Sequence, residues 1–535
     1  MKDRPSKKEL IEDLLRISDD IGDISILTAR EYLKRSKFNR RYYVSHFGTF
    51  TDFKIAALSG AAQDEEDDLV TRDYFNEAVK DDSNYKKDRK YFVTAAIAGA
   101  TFNRHFFNTI LNYCKVNKAK LVILPMRGVL SSNEGYPSEL MGSEFVDYFA
   151  SEYTFCDKLK AKDFKISPQQ LRPLTGLPRL GHKGYSLIVA APKHQMEIIP
   201  TTYDIYPHIA HCSGTISNRD TYRDNRIGNL ATQDHVLGGL IIEVERTGNF
   251  HIRQIRANED DGSFYDLDKY YCGNKCSKPK KKGNWAEAIY TGDYHAGFQD
   301  EQAVNATIDM VELLRPKYIM FSDLMDCNSI SHHHDNDILA QLQRPEFINT
   351  LEKELHNVAK ELTRWRTLFP NIQLVILRGN HDEHLDEYLK KNKFVDDRFN
   401  YRVSIKLVDY LLDGKNPLQE WININYPELN CNHVRWLTKD DSFPVEGIEC
   451  GLHGNIGPDG KYGTNISLEK SYGKCVIGHL HTPMIFREVW RVGTLTKLRL
   501  SYTHGPSSWL HSNCVIYPGG QRQMYNIIDG KYRVD

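Results

Sequence analysis

The sequence predicts an α/β fold whose C-terminal half is built on strands that alternate with helices. From Trp285 onward, short apolar strands run into loops rich in Asp, Asn and His, as in PKYIMFSDLMD and IQLVILRGNHDEH. Helices are predicted over 301–314 and 345–368, between the first three of these strands. Strand–helix–strand alternation is typical of a parallel sheet with right-handed crossovers. We therefore expect a sheet flanked by helices in this half of the chain.

The composition limits the classes of protein to which the chain can belong. Its 535 residues suffice for roughly two to four domains. There are 70 basic and 71 acidic residues, so any binding to nucleic acid must come from local basic patches. No apolar run approaches the ~18 residues that a membrane span requires. The ten cysteines are scattered and no apolar segment follows Met1, so we expect reduced thiols, a cytoplasmic location and no membrane partner.

A basic segment near the N terminus predicts a small helical unit over 1–60. Between Arg30 and Lys54 there are seven Lys or Arg, including Arg40 and Arg41, and only two acids, with aromatic residues interleaved. This stretch resembles the small helical repeat that accompanies some homing endonucleases, which implies contact with DNA through residues such as Arg40 and Arg41. The alternative is a solvated three-helix unit whose aromatic residues are its core.

Two further regions separate this unit from the C-terminal half. An acidic run, QDEEDD, lies in a linker that we place at 61–90. Apolar segments such as YFVTAAIA and VLGGLIIEVE predict the strands of an α/β accessory domain over 91–284, in which the histidines lack the spacing of metal ligands. The loop KPKKKGN at its end, with Lys280 and Lys281, either contacts phosphates or is simply solvated. No internal repeat of fixed period is apparent.

The polar loops of the last region, 285–535, hold side chains that can bind metal ions. Ligands of open α/β sheets gather at the carboxyl ends of the strands, so we expect these loops to converge. Carboxylate, amide and imidazole ligands suit Mn, Fe, Zn or Ni, and seven ligands fit two ions that share a carboxylate. The candidate ligands are Asp293, His295, Asp323, Asn380, His453, His479 and His481.

The order of these blocks, D-x-H, D, GNHD, H and GHxH, resembles the signature of the calcineurin-like metallophosphoesterases over 287–485. The resemblance implies a sandwich of two mixed sheets flanked by helices, preceded here by the accessory domain and the helical unit. It also divides the ligands between two ions: Asp293, His295 and His481 on one, Asn380, His453 and His479 on the other, with Asp323 as the bridge. One departure is Ser322, which stands where the family usually has glycine.

The same resemblance assigns roles to residues beside the ligands. His381 is expected to contact the phosphate and to protonate the leaving oxygen, and Asp382 to orient His381 through its ring nitrogen. His332 and His333 follow the bridging loop closely. They either line the site and contact substrate or belong to a polar surface loop.

The predicted activity is hydrolysis of phosphodiester bonds in DNA by two divalent ions, which we expect to be Mn²⁺, with a bridging hydroxide as nucleophile. The GNHDEH and GHLH blocks resemble those of SbcD-type DNA nucleases, in which, however, the phosphoesterase comes first. With the phosphoesterase last, the arrangement resembles early nucleases of large tailed phages that destroy host DNA, which implies action in the host cytoplasm. The alternative is a phosphatase or small-molecule phosphodiesterase with a protein-binding N-terminal unit. Endo- or exonuclease action and homo-oligomer formation are left open.

Overall fold

A computed structural model describes residues 5–21, 27–47, 50–58, 79–84, 86–129, 146–202, 206–278, 283–331, 350–500 and 503–534. The chain divides into two compact units, Met1–Val79 with Leu130–Val146 and Lys80–Val129 with Asp147–Asp535. Four predicted substrate contacts lie outside the described residues: His332, His333, Lys280 and Lys281. The domain boundaries inferred from the sequence stay predictions.

The first unit contains, in its described part, four helices around an aromatic core. They are α1 (Lys7–Ile21), α2 (Ala29–Arg35), α3 (Arg40–Phe47) and α4 (Phe50–Leu58). A capping box of Thr28 and Glu31 begins α2, which satisfies backbone donors at its first turn. Tyr32 and Phe53 are fully buried, and Tyr43 stacks on Phe53 with ring centroids 5.5 Å apart. The aromatic residues are thus the core of this unit, whereas six of its basic side chains are exposed: Arg30, Lys34, Arg35, Lys37, Arg40 and Arg41.

The rest of the described chain is a mixed α/β structure with several sheets flanked by helices. Its strands are β1 (Val79–Asp81), β2 (Arg89–Ile97), β3 (Lys120–Met126), β4 (Glu152–Cys156), β5 (Leu159–Lys162), β6 (Ser186–Val189), β7 (Gln195–Ile199), β8 (His208–Cys212), β9 (Gly238–Val244), β10 (Phe250–Arg256), β11 (Phe264–Asp266), β12 (Lys269–Cys272), β13 (Lys275–Ser277), β14 (Ala288–Tyr290), β15 (Tyr318–Phe321), β16 (Gln373–Ile376), β17 (Val434–Trp436), β18 (Pro444–Val445), β19 (Ile448–Glu449), β20 (Cys475–Ile477), β21 (Met484–Phe486), β22 (Val489–Arg491), β23 (His511–Ile516) and β24 (Arg522–Ile527). Its helices are α5 (Arg104–Asn117), α6 (Arg226–Asp234), α7 (Glu301–Leu314), α8 (Leu351–Leu368), α9 (Asn380–Lys390), α10 (Tyr401–Leu412), α11 (Pro417–Asn425) and α12 (Asn465–Tyr472). None of the described helices combines the length and apolar character that a membrane crossing requires.

The predicted parallel strands of the C-terminal half belong to a six-stranded sheet of order β17–β16–β15–β14–β23–β24. β14, β15, β16 and β17 are parallel, and β23 runs antiparallel to β14. Helix α7 follows β14 and α8 precedes β16, so the predicted strand–helix–strand alternation is confirmed. The bounds of α7 are those predicted, because Asp300 caps its first turn and Arg315 ends it in a left-handed conformation.

The largest sheet crosses the predicted accessory and catalytic regions. Its order is β1–β4–β5–β6–β8–β7–β21–β22–β20–β19–β18, eleven strands in all. The junction is the antiparallel pair of β7 and β21, in which Met196 lies opposite Ile485 and Gln195 opposite Phe486. Two smaller sheets have the orders β10–β9–β2–β3 and β11–β12–β13.

The six-stranded and eleven-stranded sheets share one apolar core. Tyr290 and Met320 come from the former, Val476 and Ile485 from the latter, and all four are fully buried. Complete burial of such a side chain stabilises the fold by roughly 1.5–3 kcal/mol. This shared core holds the two sheets together, and the polar loops leave the strands at its edge.

Candidate metal centre

Seven polar side chains on five loops converge beside this core. The loops and their side chains are Asp293 and His295 after β14, Asp323 after β15, Asn380 at the start of α9 after β16, His453 after β19, and His479 and His481 after β20. Three of the loops leave the six-stranded sheet and two leave the eleven-stranded sheet. The structure therefore brings together all seven residues that the sequence selected as ligands, and that role stays a prediction.

One group of side chains meets around Asn380. His453 Nε2 lies 2.8 Å from Asn380 Oδ1 and 3.0 Å from Asp323 Oδ2. His479 Nδ1 lies 2.9 Å from the same Asn380 oxygen. An amide oxygen, a carboxylate oxygen and two imidazole nitrogens thus face one small volume, which is the ligand chemistry that a divalent transition metal accepts.

A second group meets around His295. Its Nε2 lies 3.1 Å from His481 Nε2 and 4.0 Å from Asp323 Oδ2. His481 Nε2 lies 3.4 Å from Asp293 Oδ2. Asp323 is therefore near both groups, as a bridging carboxylate would be.

Buried carboxylate oxygens without partners support a cation at this place. Asp293 and Asp323 are almost fully buried, and in each the Oδ1 atom has no hydrogen-bond partner among the described residues. An unpaired buried carboxylate oxygen is costly, and a bound cation removes that cost. The side chains present thus fit divalent ions, of a number and identity that the geometry leaves open.

Two further side chains hold the imidazole rings. His295 Nδ1 lies 2.8 Å from Asp326 Oδ2, and His453 Nδ1 lies 2.7 Å from Ser322 Oγ. Such partners fix the orientation of a ligand ring and leave its other nitrogen free to bind an ion. Ser322, which stands where the calcineurin-like pattern usually has glycine, therefore makes a contact that glycine cannot make.

The backbone of the ligand loops is strained. Four of the seven candidate ligands have a positive φ, in a region that non-glycine residues seldom adopt. They are His295 at 46°, Asp323 at 44°, His479 at 80° and His481 at 54°. Strain of this kind clusters at functional sites, where the surrounding structure enforces it.

Two glycines allow the carboxylates to approach the backbone. A Cβ on Gly379 would lie 1.7 Å from Asp323 Oδ1, and one on Gly478 would lie 2.2 Å from Asp293 Oδ1. Any side chain at either position would displace a candidate ligand. The glycines of the GNHD and GHxH blocks are thus required by packing around the two carboxylates.

The electrostatics of the centre follow from burial and from the two carboxylates. Burial raises the pKa of Asp293, whereas for Asp323 the neighbouring imidazoles outweigh burial and hold the pKa well below its usual range. Burial opposes protonation of His453, but the Asp323 carboxylate raises its pKa to about 9. Burial lowers the pKa of His479 to about 4 and that of His481 well below its usual value. Both residues of the GHxH block thus have imidazole lone pairs available near neutral pH.

His381 lies at the edge of the centre, in a different relation to Asp382 from the one predicted. Its Nδ1 contacts the carbonyl oxygen of Asp326, and its ring centroid lies 4.6 Å from that of His295. The Asp382 carboxylate instead accepts a hydrogen bond from the Gly379 amide at 2.9 Å. The prediction that Asp382 orients His381 is wrong, because α9 starts at Asn380 and successive side chains on a helix point about 100° apart.

Two aromatic residues beside the centre carry no motif that distinguishes them in the sequence. The half-buried Trp509 has its ring centroid 4.2 Å from that of His481, and Tyr462 lies 5.8 Å from His479. Trp509 belongs to the segment 503–510 before β23, remote in sequence from the ligand loops. The remaining predicted contacts, Arg40 and Arg41, are exposed on α3 of the first unit.

The chain is similar to Protein A1 of Escherichia phage T5. The two sequences are 26% identical over 474 residues, which cover 83% of each chain. No family model matches the chain. No solved structure matches it either.

Proposed function

We propose that this protein is a metal-dependent DNA nuclease with a calcineurin-like metallophosphoesterase core. The observation that carries the proposal is the convergence of seven O- and N-donor side chains from two sheets, with unpartnered oxygens on both buried carboxylates. The similarity to a phage protein accords with action in a host cell. The chemistry of the ligand set supports a phosphoester as substrate but does not by itself select DNA.

The candidate ligands would hold two ions in the groups described above. Asp293, His295 and His481 would bind one ion, Asn380, His453 and His479 would bind the other, and Asp323 would bridge them. Two such ions, when bound, supply Lewis acidity and lower the pKa of a coordinated water. Asp326 and Ser322 keep the rings of His295 and His453 turned toward the ions, since each contacts the opposite nitrogen.

His381 is the group that we assign to proton transfer. With its Nδ1 held by the Asp326 carbonyl, the nitrogen left for substrate is Nε2. A protonated ring would donate from Nε2 to the leaving 3′-oxygen of the scissile phosphodiester. General acid catalysis of this kind contributes about 10²–10⁴-fold to the rate.

The first unit is the part of the chain that we assign to DNA binding. Its segment 30–54 has seven lysines and arginines against two acids, and six of those basic side chains are exposed around the aromatic core. Basic side chains that contact backbone phosphates release counterions, so binding weakens as salt rises. This assignment explains why basic residues concentrate in a chain whose overall net charge is −1.

Incubation with linear, nicked and supercoiled DNA in the presence of Mn²⁺ tests the proposal. We expect cleavage that EDTA abolishes and that Mn²⁺ supports better than Mg²⁺, because five of the seven candidate ligands are imidazole or amide groups. An Asp323→Asn variant is the control for a contaminating nuclease. Hydrolysis of an aryl phosphodiester without any cleavage of DNA would support instead a phosphatase or small-molecule phosphodiesterase.

A separate measurement tests the DNA-binding assignment. Replacement of Arg35, Arg40 and Arg41 by Gln should lower the magnitude of the slope of log K against log salt by roughly 0.9 for each lost phosphate contact. Arg364→Gln is the matched control, since Arg364 forms a surface ion pair with Glu301 outside the first unit. An unchanged slope and affinity in the triple variant would contradict the assignment.

A further inference from the structure

The predicted accessory region repeats the topology of the region that holds the metal centre. The order β3–β2–β9–β10 matches β15–β14–β23–β24, with the same parallel and antiparallel neighbours. The order β4–β5–β6–β8–β7 matches β18–β19–β20–β22–β21 in the same way. We call 89–256 the first repeat and 288–527 the second repeat.

The match extends to individual contacts. In the first repeat the Thr215 hydroxyl donates to the Ala95 carbonyl at 2.8 Å, and in the second the Thr494 hydroxyl donates to the Asp293 carbonyl at 2.9 Å. The amides of Ala95 and Asp293 donate to Gly214 and Gly493, each at 3.2 Å. Helices α5 and α7 each have 14 residues and begin at a side-chain cap. The two regions are therefore structural copies of one another.

Three candidate metal ligands of the second repeat have no equivalent side chain in the first repeat. The contacts above place Ala95 where the second repeat has Asp293. The Val236 amide bonds the Pro192 carbonyl as the Leu510 amide bonds that of His481, so Pro192 replaces His481. In the strand register of β6 and β20, Ala191 takes the place of His479, so Leu480 is an extra residue that has no counterpart in the first repeat. None of these three replacements offers a side-chain ligand.

A cationic cavity lies beside the altered loop of the first repeat. It has a volume of about 240 Å³, and its wall includes Lys193 and His194 from the turn after β6 and Arg487 from the turn between β21 and β22. Five basic side chains line it, Lys193, Arg256, Lys474, Arg487 and Arg522, against three carboxylates, Asp234, Glu469 and Glu488. The wall thus carries two more positive than negative charges.

Two buried nitrogen atoms of this wall lack a hydrogen-bond partner in the part of the chain that the structure describes. His194 is 6% exposed, and its Nε2 has no hydrogen-bond partner among the described residues. The same holds for Arg487 Nε, although the Arg487 guanidinium pairs with Glu469 at 2.5 Å. Lys193 uses one contact, with Asp234 at 3.2 Å, and can donate further hydrogen bonds. An anion in the cavity would satisfy these groups together.

The backbone conformation of Arg487 indicates that this arginine has a role beyond forming the turn. It has a φ of 52° in the two-residue connection between β21 and β22. Glycine or asparagine adopts this conformation more readily in such a hairpin turn. An arginine kept in a strained turn in the wall of a cavity is better explained by a bound group than by the turn itself.

We propose that this cavity binds a phosphate group, carried by a free nucleotide or by the end of a nucleic-acid strand, through Arg487, Lys193 and His194. In the second repeat the positive charge for a phosphate would come from metal ions; in the first it comes from side chains. The proposal does not rest on the nuclease function, since the cavity contains none of the candidate metal ligands.

Calorimetric titration of the full-length protein with inorganic phosphate in EDTA tests the proposal. We expect one saturable site, and Arg487→Asn should weaken it by about tenfold or more through loss of a charged hydrogen bond. The same variant should keep or raise the thermal midpoint, because asparagine relieves the strained turn. Arg364→Gln, which changes an arginine outside the cavity, should bind phosphate as the wild type does.

Further titrants distinguish the two sources of the phosphate. Thymidine 5′-monophosphate that binds as tightly as an oligonucleotide indicates a free nucleotide. Tighter binding of an oligonucleotide with a 5′-phosphate than of one without it indicates a strand end. Absence of a saturable site in the wild type, or equal affinity in Arg487→Asn, would overturn the proposal. Should Arg487→Asn fail to fold, Lys193→Gln gives the same test, because Lys193 is another of the proposed phosphate contacts.

Discussion

The two repeats place the same strands around different chemistry. Where the second repeat has Asp293, His479 and His481, the first has Ala95, Ala191 and Pro192. Of these three ligands, His479 and His481 have a positive φ and Asp293 does not. None of the three replacements has a positive φ. The strained backbone at His479 and His481 thus has no counterpart at Ala191 and Pro192. One topology can support a metal centre or a cationic cavity, so function has to be argued from side chains and not from strand order.

The repeats also differ at one edge of a sheet. In the second repeat, β16 and β17 extend the sheet beyond β15, and the loop after β16 leads to Asn380 and His381. In the described part of the first repeat, β3 is the edge strand of its sheet and forms only an isolated parallel bridge there, between Ile123 and Phe149. Among the residues that the structure describes, the first repeat thus has no counterpart of the two added strands that lead to Asn380 and His381.

The strongest test of the difference between the repeats is the removal of Asp323, the proposed bridging carboxylate of the second repeat. We expect Asp323→Asn to lose both ions and to reduce DNA cleavage below detection, because Asp323 lies near both groups of ligands. Elemental analysis of the purified variant measures the metal content. Asp163→Asn, which changes a buried carboxylate after β5 of the first repeat, should keep its ions. Two ions retained in Asp323→Asn would exclude Asp323 as the shared ligand.

The assignment of His381 gives the next largest effect. His381→Ala should keep both ions but cleave DNA about 10²–10⁴-fold more slowly, since the alkoxide leaving group requires a proton. Hydrolysis of an aryl phosphodiester should fall much less, because its leaving group is a weaker base. His356→Ala, an exposed histidine on α8, serves as the control. An equal fall on both substrates with ions retained would make His381 a residue that positions phosphate.

The side chains that hold the ligand rings should matter less than the ligands. Asp326→Asn should weaken metal binding by roughly 10–100-fold, because His295 loses a carboxylate partner. Ser322→Ala should have a smaller effect, since it removes a neutral contact with His453. Competition against a chelator measures both affinities. If Ser322→Ala lowers the metal affinity more than Asp326→Asn does, the Asp326 carboxylate is not the stronger of the two supports.

A buried histidine of the first repeat, His211, should make the stability of the fold depend on pH. Burial lowers the pKa of His211 to about 4 from its ordinary 6.5. A folded-state pKa below the unfolded value gives stability that is present above pH 6.5 and is lost as the pH falls toward 4. Across that window one such group changes the unfolding constant by up to about tenfold per pH unit. Denaturant unfolding of His211→Gln from pH 4 to 7 should show a shallower pH dependence than the wild type, and an equal slope would contradict this.

The candidate ligands could be selected from the sequence because each depends on local features. Asp293, Asp323 and His479 follow short apolar strands, and their residue types already restrict the chemistry. Helix α7 was predicted with its observed bounds for the same reason. The Asp326 carbonyl that holds His381 could not be predicted, because that contact joins two loops through space.

The internal duplication could not be predicted from sequence pattern either. The clearest parallel is the short stretch Gly214–Thr215 against Gly493–Thr494, where the same hydrogen bonds recur. Elsewhere the strands of the two repeats keep their order while their side chains differ. The similarity of the two repeats is therefore visible in the hydrogen-bond register of their strands and not in their composition or motifs.

The pairing of β7 with β21 has a consequence for how the protein behaves on dilution. Both strands belong to one covalent chain, so their local concentration is fixed by the connection between them and not by the amount of protein in solution. If the two repeats were on separate chains, they would dissociate as the protein concentration fell. Here each finished molecule carries both halves of the junction, whatever the concentration of the protein. The same pairing covers two strand edges that would otherwise be open to other chains.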